Sequence, residues 1–269
     1  HPRLTLSLGA CHETLGDFEA AEALYKKALQ QAESNQNRRD AARIHSKMGT
    51  LCGFQSGREA ESREHLELAR TVGRDLGERI IEASATYNLG RLAMNQDQRE
   101  EAHRELSLAL SQFQEMGDLS SEGMVALSLG LVLLEDGDLT SARARIGEAE
   151  RALSVAGSAL SWIYAQATLA LADLVAEDTT SAQIRAEMAA KRAEEMEHDI
   201  LKGICVCVLC FVSALGGDPA RCADYADEAN RCLDHSNWAE GVALNPLGLA
   251  GAITADLVLQ SLGLAGYLV

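Results

Sequence analysis

Small and large apolar positions alternate along the chain in a pattern that repeats about every forty residues. A small residue of the kind that sits where two helices cross returns at Gly9, Gly49, Gly90, Gly130, Ala170, Cys210 and Ala250, in steps of 40, 41, 40, 40, 40 and 40. A period of that size marks a helical hairpin repeated down the chain. In the first copy the opening helix starts near Pro2, which suits a first helical turn, and ends around Leu15-Gly16-Asp17, where glycine and aspartate signal a tight turn. The second helix runs from about Phe18 to Ser34. It carries Ala21 and Ala28 two turns apart on one face, with Tyr25 between them as a large knob, and small beside large allows close crossing.

Three further tracks keep the same register. The small positions of the second helix run Ala21, Ser62, Ala102, Ala142, Ala182, Cys222 and then Ala28, Ala69, Ala109, Ala149, Ala189, Ala229. The large position runs Tyr25, Leu66, Leu106, Ile146, Ala186, Ala226 and weakens towards the C-terminus. The turn runs Gly16-Asp17, Gly57-Arg58, Asp97-Gln98, Gly137-Asp138, Glu177-Asp178, Gly217-Asp218. The crossing residue and the next small residue lie 12 apart in every copy but the second, where Gly49 to Ser62 is 13 and Cys52 to Gly57 predicts a looser turn. The expected hairpins cover about 2–36, 37–76, 77–117, 118–157, 158–197 and 198–235, and 236–269 forms an apolar partial seventh hairpin or cap.

These residues resemble the tetratricopeptide-repeat family, through Leu8-Gly9, Leu15-Gly16-Asp17-Phe18, Ala21, Tyr25 and Ala28 in the best copy. The resemblance covers residues 2 to about 235. It departs in period, because the common repeat has 34 residues, and it is similar to the longer version in kinesin light chains and in the sensor arms of bacterial signalling regulators. It implies an all-α fold, a right-handed α-α superhelix of six full hairpins plus a partial seventh. It also implies a protein-protein interaction scaffold with no enzymatic activity and no cofactor.

Composition agrees with helices: 47% of residues are hydrophobic, only 4% aromatic, and prolines number three. The formal charge of −16, from 24 basic and 40 acidic residues, argues against a general affinity for nucleic acid or anionic membranes. Seven cysteines make an odd set with no small secreted framework, so free thiols and a cytoplasmic setting are expected. The chain opens at His1-Pro2 rather than on methionine, and we expect it to be part of a longer polypeptide. From Val242 to Val269 the only charged residue is Asp256, and we expect a hairpin whose outer face is covered by a further domain, a second copy or a partner. Asn245, Pro246, Asp256 and Gln260 interrupt that stretch and disfavour a membrane span.

Candidate chemistry is sparse. We find no phosphate-binding Gly-x-x-x-x-Gly-Lys, no His-Glu-x-x-His, no Gly-x-Ser-x-Gly and no dinucleotide fingerprint, so no catalytic residues are assigned. Cys205, Cys207 and Cys210 invite a metal reading, but on a helix Cys205 and Cys207 point about 200° apart and cannot share one tetrahedral ion, so no metal site is expected. The histidines, including His45, His65 and His103, read as members of solvated faces. In the resembled family the positions two and six before the crossing glycine, and one after it, meet the ligand. Here they give Arg3, Arg43, Lys47, Asn88 and Arg91 in the N-terminal half and Met124, Leu131, Tyr164, Leu171 and Phe211 in the C-terminal half. Asn88, in Tyr87-Asn88-Leu89-Gly90, matches the family's amide that pairs with an extended peptide backbone. The expected binding set is therefore Arg43, Lys47, Asn88, Arg91, Met124 and Leu131, for a protein or peptide partner of acidic character. A second expectation is a structural, autoinhibitory or self-associating arm of a larger ATPase, kinase or transcription activator.

Overall fold

The computed structural model describes residues 2–234 except Leu15, Phe54 and Ser56, so the apolar C-terminal segment expected as a seventh hairpin lies outside the described residues. Over these residues the chain forms twelve α-helices in six consecutive hairpins, with no strand among them. The hairpins are α1 (Pro2–Thr14) with α2 (Phe18–Ser34), α3 (Arg38–Gly53) with α4 (Glu59–Asp75), and α5 (Arg79–Asn95) with α6 (Arg99–Met116). They continue as α7 (Leu119–Glu135) with α8 (Leu139–Val155), α9 (Ala159–Val175) with α10 (Thr179–Glu195), and α11 (Asp199–Leu215) with α12 (Pro219–Asp234). The chain divides into two compact units, α1 to α6 and α7 to α12. Within each unit every helix packs on the next in sequence, and the first helices of successive hairpins also touch, α1 on α3 on α5 and α7 on α9 on α11. No helix among the described residues is long and apolar enough to cross a membrane.

The crossing glycines are where each hairpin closes. A Cβ on Gly9 would lie 2.6 Å from Tyr25 Cε1, one on Gly49 2.6 Å from Leu66 Cγ, and one on Gly90 2.8 Å from Leu106 Cδ2; at Gly130 it would press into Ile146. Carbon atoms rest about 3.5–4.0 Å apart, so the missing methyl is what admits the knob. The fifth and sixth hairpins solve the same problem in reverse. Ala170 and Cys210 put back a side chain at the crossing, and the facing knob shrinks to Ala186 and Ala226. Ala170 and Ala186 are both fully buried in one apolar cluster with Leu171, Val208 and Leu209. Gly73 lies inside α4, where a Cβ would stand 2.9 Å from the backbone nitrogen of Glu82.

Each of the eleven turns holds one residue of positive φ, a glycine in seven and Gln36, Asp97, Glu177 or Glu197 in the others. That left-handed residue lets the chain bond back onto the helix it leaves, as when Gly157 N donates to Ser154 O and Ser158 N to Leu153 O. An aspartate then starts the next helix: the carboxylates of Asp17, Asp138 and Asp178 accept from the backbone N–H of Ala20, Ser141 and Ser181. Each such cap contributes about 1 kcal/mol. The Gly-Asp signature therefore closes one helix and opens the next. Ten of the turns are two or three residues long, whereas the second hairpin uses the five residues 54–58, in line with its looser spacing.

Charged side chains tie neighbouring repeats together in the first unit. Arg58 donates to Glu22 at 2.8 Å, Arg63 to Glu101 at 2.7 Å, Arg70 to Glu105 at 2.9 Å and Arg79 to Glu115 at 2.7 Å, each spanning 35 to 38 residues of sequence. Hydrogen bonds from Arg58 and then Lys26 hold the Glu22 carboxyl down at about 2. Among the described residues of the second unit the corresponding feature is a fully buried carboxylate, Asp173, held between Arg143 at 2.6 Å and Arg185 at 2.9 Å.

His45 and His65 correct their reading as solvated side chains. They face each other across α3 and α4, half-buried, with Nδ1 atoms 2.9 Å apart and ring centroids 5.0 Å apart. One nitrogen must carry the shared proton and the other accept it, so the pair suits two neutral rings. Burial, and then the facing His65, pushes His45 down to about 4; burial also lowers His65.

Two outcomes follow from this packing. In urea denaturation, Gly130→Leu is expected to destabilise by about 1–3 kcal/mol through overpacking. A double-mutant cycle of Gly130→Ala with Ile146→Ala, the pairing already present at Ala170 and Ala186, is expected to give a coupling of about 0.5–3 kcal/mol, whereas additive losses would place the crossing elsewhere. For the histidines, the folded chain keeps His45 neutral down to about 4, while the unfolded chain protonates it near 6.5. The unfolded state binds the extra proton between those values, so stability falls as pH is lowered through that window. Denaturation midpoints at pH 7 and pH 5 should differ less in His45→Phe than in the parent chain; an unchanged difference would remove the pair as the cause.

Candidate functional site

The first helices carry the candidate positions at i, i+4 and i+7, a spacing that keeps them on one helix face. In the first unit these are Arg3, Ser7 and Ala10 on α1, Arg43, Lys47 and Thr50 on α3, and Ser84, Asn88 and Arg91 on α5. The Lys47 side chain is 47% exposed and that of Arg43 34%, while Asn88 and Arg91 are half-buried. The row therefore presents reachable polar groups on rigid backbone.

Each cation has a local anion or ring. Asp40 at the start of α3 is buried, and it accepts Arg3 Nε at 3.0 Å and Asn37 Nδ2 at 2.8 Å, with an Arg43 guanidinium nitrogen 3.9 Å away. Two guanidiniums thus share one carboxylate, which leaves positive charge in excess there. Lys47 Nζ stands 3.8 Å from Glu13, whose carboxylate also accepts the Tyr25 hydroxyl. Burial and that hydrogen bond raise the Tyr25 phenol well above its usual range. The Arg91 guanidinium lies 5.7 Å from the centre of the Tyr87 ring, within cation–π range.

Asn88 and Arg91 come together with Thr50 around a notch between α3 and α5, floored by Gly49 and Gly53. Its volume, about 20 Å³, is enough for one water, so it is a recess beneath a larger ligand rather than a pocket for a small molecule. Arg43 and Lys47 are one turn apart on α3. Met124 and Leu131 stand on α7 of the second unit and belong to a separate row.

That second row is apolar. It consists of Met124, Ser128 and Leu131 on α7, Tyr164, Thr168 and Leu171 on α9, and Ile204, Val208 and Phe211 on α11. No member is charged. The Ser128 hydroxyl donates to Met124 O at 3.2 Å and that of Thr168 to Tyr164 O at 2.9 Å, so both are bonded within their own helix. Met124, Leu131 and Phe211 are part-exposed, whereas Tyr164, Thr168, Leu171, Ile204 and Val208 are buried.

Elsewhere the chemistry is quiet. Burial pushes the thiols of Cys205 and Cys207 up to about 12 and about 11, which keeps them protonated and poor as nucleophiles or metal ligands. Cys210 and Cys222 occupy the crossing of the last hairpin with sulfur atoms 3.3 Å apart, and both are half-buried rather than core residues. Among the described residues no group of three or more His, Cys, Asp or Glu is placed to hold a metal ion. Sequence reasoning missed Asp40 and Asp173, because nothing local marks as buried a carboxylate whose closest arginines, Arg3 for Asp40 and Arg143 and Arg185 for Asp173, come from other helices. It also missed an open cleft of about 440 Å³ in the second unit, bordered by Leu153, Trp162, Met188, Lys191 and Arg192. Trp162 and Arg192 there are already engaged by Glu150 and Glu195.

Residues 3–75 match the family model of the tetratricopeptide repeat. No curated protein matches the chain in sequence. Solved structures that share the fold include the following three. One is a signal transduction ATPase with numerous domains and a tetratricopeptide-repeat sensor from Pyrococcus horikoshii, at 16% identity and a TM-score of 0.70, covering 97% of this chain; the chain spans only 39% of that protein. Another is the apo form of RapI, at 11% identity and a TM-score of 0.75, over 97% of this chain and 91% of that one. The third is the Rap conjugation gene regulator of the plasmid pLS20, solved with a Phr peptide, at 16% identity and a TM-score of 0.73, over 96% and 73% of the two chains. The sequence match covers the first two hairpins, and the four hairpins that follow repeat their fold.

Proposed function

We propose that the chain is a non-enzymatic protein-interaction scaffold that binds a peptide or partner domain along its first helices. Arg43, Lys47, Asn88 and Arg91 are its polar contacts and Met124 and Leu131 its apolar ones. The observation that carries the reading is the row on α3 and α5, where Asn88 and Arg91 border the notch lined by Gly49 and Gly53 and the part-exposed Arg43 and Lys47 stand one turn apart on α3. The amide both donates and accepts, so it reads a peptide backbone whatever the side chains. The two guanidiniums on Asp40 favour a carboxylate-bearing segment. A protein of the same fold, the pLS20 Rap regulator, was solved with a peptide, which supports a peptide as the ligand class. We read the chain as part of a larger cytoplasmic signalling or regulatory protein.

A second reading, a structural, autoinhibitory or self-associating arm, is favoured by the ATPase of which this chain matches 39%. Sedimentation separates the two, since a monomer at all concentrations weakens self-association. The scaffold reading is tested by titrating a labelled acidic peptide. Arg43→Glu with Arg91→Glu is expected to weaken its binding on the order of tenfold or more, about 1.4 kcal/mol. Equal affinity for both proteins would remove the row on α3 and α5 as the site.

A further inference from the structure

The crossing of the last hairpin is built differently from those of the first four. There a glycine on the first helix faces Tyr25, Leu66, Leu106 or Ile146, whereas the sixth hairpin carries Cys210 at the crossing, Cys222 at the next small position and Ala226 at that of the knob. Two sulfur atoms meet at this crossing: the Cys210 thiol donates to Cys222 O at 3.3 Å, and the sulfurs themselves are 3.3 Å apart. Both residues are half-buried, whereas Cys52, Cys205 and Cys232 are buried. Burial, and then the hydrogen bond with Cys222, pushes the Cys210 thiol up to about 12, so the pair rests as two thiols at neutral pH. Helix axes packed about 8–10 Å apart, with Cα atoms about 2.3 Å from each axis, bring facing Cα atoms to about 4–5 Å, within the span that a disulfide bridges. Closing the bond to about 2.0 Å asks each sulfur to move by only about 0.6 Å.

We propose that Cys210 and Cys222 are an oxidation site, at which hydrogen peroxide converts the two thiols into an intramolecular disulfide that staples α11 to α12 and a thiol reductant reopens it. This goes beyond the scaffold reading and does not rest on it. One sulfur attacks the O–O bond and becomes a sulfenic acid, and the other peroxide oxygen leaves as water. The second sulfur then displaces the sulfenic hydroxyl, which takes that thiol's proton and leaves as a second water. In sum two S–H bonds and one O–O bond break, one S–S and two O–H bonds form, and the pair of sulfurs gives two electrons to the peroxide. The disulfide removes conformational entropy from the opened hairpin, at the crossing whose knob is smallest. At the other end of the hairpin Lys202 already pairs with Glu228 at 2.9 Å. Phe211, part-exposed and next to Cys210, belongs to the apolar row of the second unit. The staple therefore fixes the rotation of α11 and the position of its share of that row, and the dithiol form lets α12 part from α11 more readily.

The test treats the reduced full chain with hydrogen peroxide, blocks the remaining thiols and maps tryptic peptides by mass spectrometry without reduction. Cleavage after Lys202, Arg221 and Arg231 separates residues 203–221 from residues 222–231, and Cys222 is the one cysteine of the second peptide. The two peptides are expected joined, two hydrogen atoms lighter than their sum, and separated again by dithiothreitol. In a mixture of isotope-labelled and unlabelled protein the link is expected within single molecules. Cys210→Ala and Cys222→Ala each install an alanine that the fifth hairpin already carries, at Ala170 and Ala182, and each is expected to abolish the link. A link that survives Cys210→Ala would assign the partner to Cys205 or Cys207, and a link between molecules would assign it to a second copy. Either result overturns the proposal, as does a peptide 222–231 that stays unlinked in the oxidised parent chain, an outcome that needs no variant to fold. Oxidation is further expected to slow amide exchange across α12 on the order of tenfold in the parent chain and to leave it unchanged in Cys210→Ala. Equal exchange in the oxidised and reduced parent would remove the staple. None of these readouts involves an acidic peptide or α3 and α5, so a failed titration of the first unit leaves this result standing, and the reverse.

Discussion

How closely two helices approach at one point per hairpin governs this molecule. A glycine on the first helix admits a tyrosine, leucine or isoleucine from the second, and where the glycine is lost the knob is lost with it. The conserved quantity is thus the summed size of a pair, not the identity of either residue. Close approach fixes the rotation of each first helix about its axis. That rotation is what places the residues two and six before the crossing, and one after it, in line from one hairpin to the next.

Upon this common frame the two units are held by different forces. The first is laced by part-buried arginine–carboxylate pairs that join one repeat to the following one. The second relies on α7, α9 and α11, whose leucines, valines and alanines are buried at about 1.5–3 kcal/mol for each large side chain. Among its described residues the fully buried charge, Asp173, is of another order, since removing a partner from such a pair costs about 3–5 kcal/mol. The polar row on α3 and α5 and the apolar row on α7, α9 and α11 follow the same division.

What the sequence made legible was whatever recurs. The hairpins, the small-to-large crossings and the Gly-Asp turns all return at a fixed step, so each copy corroborates the others. What it hid were contacts made once, between side chains distant in sequence. His45 meets His65 because α3 folds back on α4, and neither residue carries a local mark of that meeting. Arg43 and Lys47 read as cations, but Asp40 and Glu13, which moderate them, do not stand at the repeating positions. The positive φ of Asp97 and Glu177 was equally silent, because the chain there adopts a glycine's conformation without a glycine.

The longer turn of the second hairpin carries one more consequence. Residues 54–58 keep the left-handed glycine at Gly57, and Arg58 anchors the far end by reaching Glu22 and Glu61, while Ser62 Oγ holds Gly49 O at 2.7 Å across the crossing. Both banks of the turn are thus secured independently of its length. Doubling a loop costs only about 0.6 kcal/mol in closure entropy. This is the joint at which the array can accept a grafted stretch of foreign sequence, whereas in a three-residue turn the same graft would part the left-handed residue from the cap that follows it.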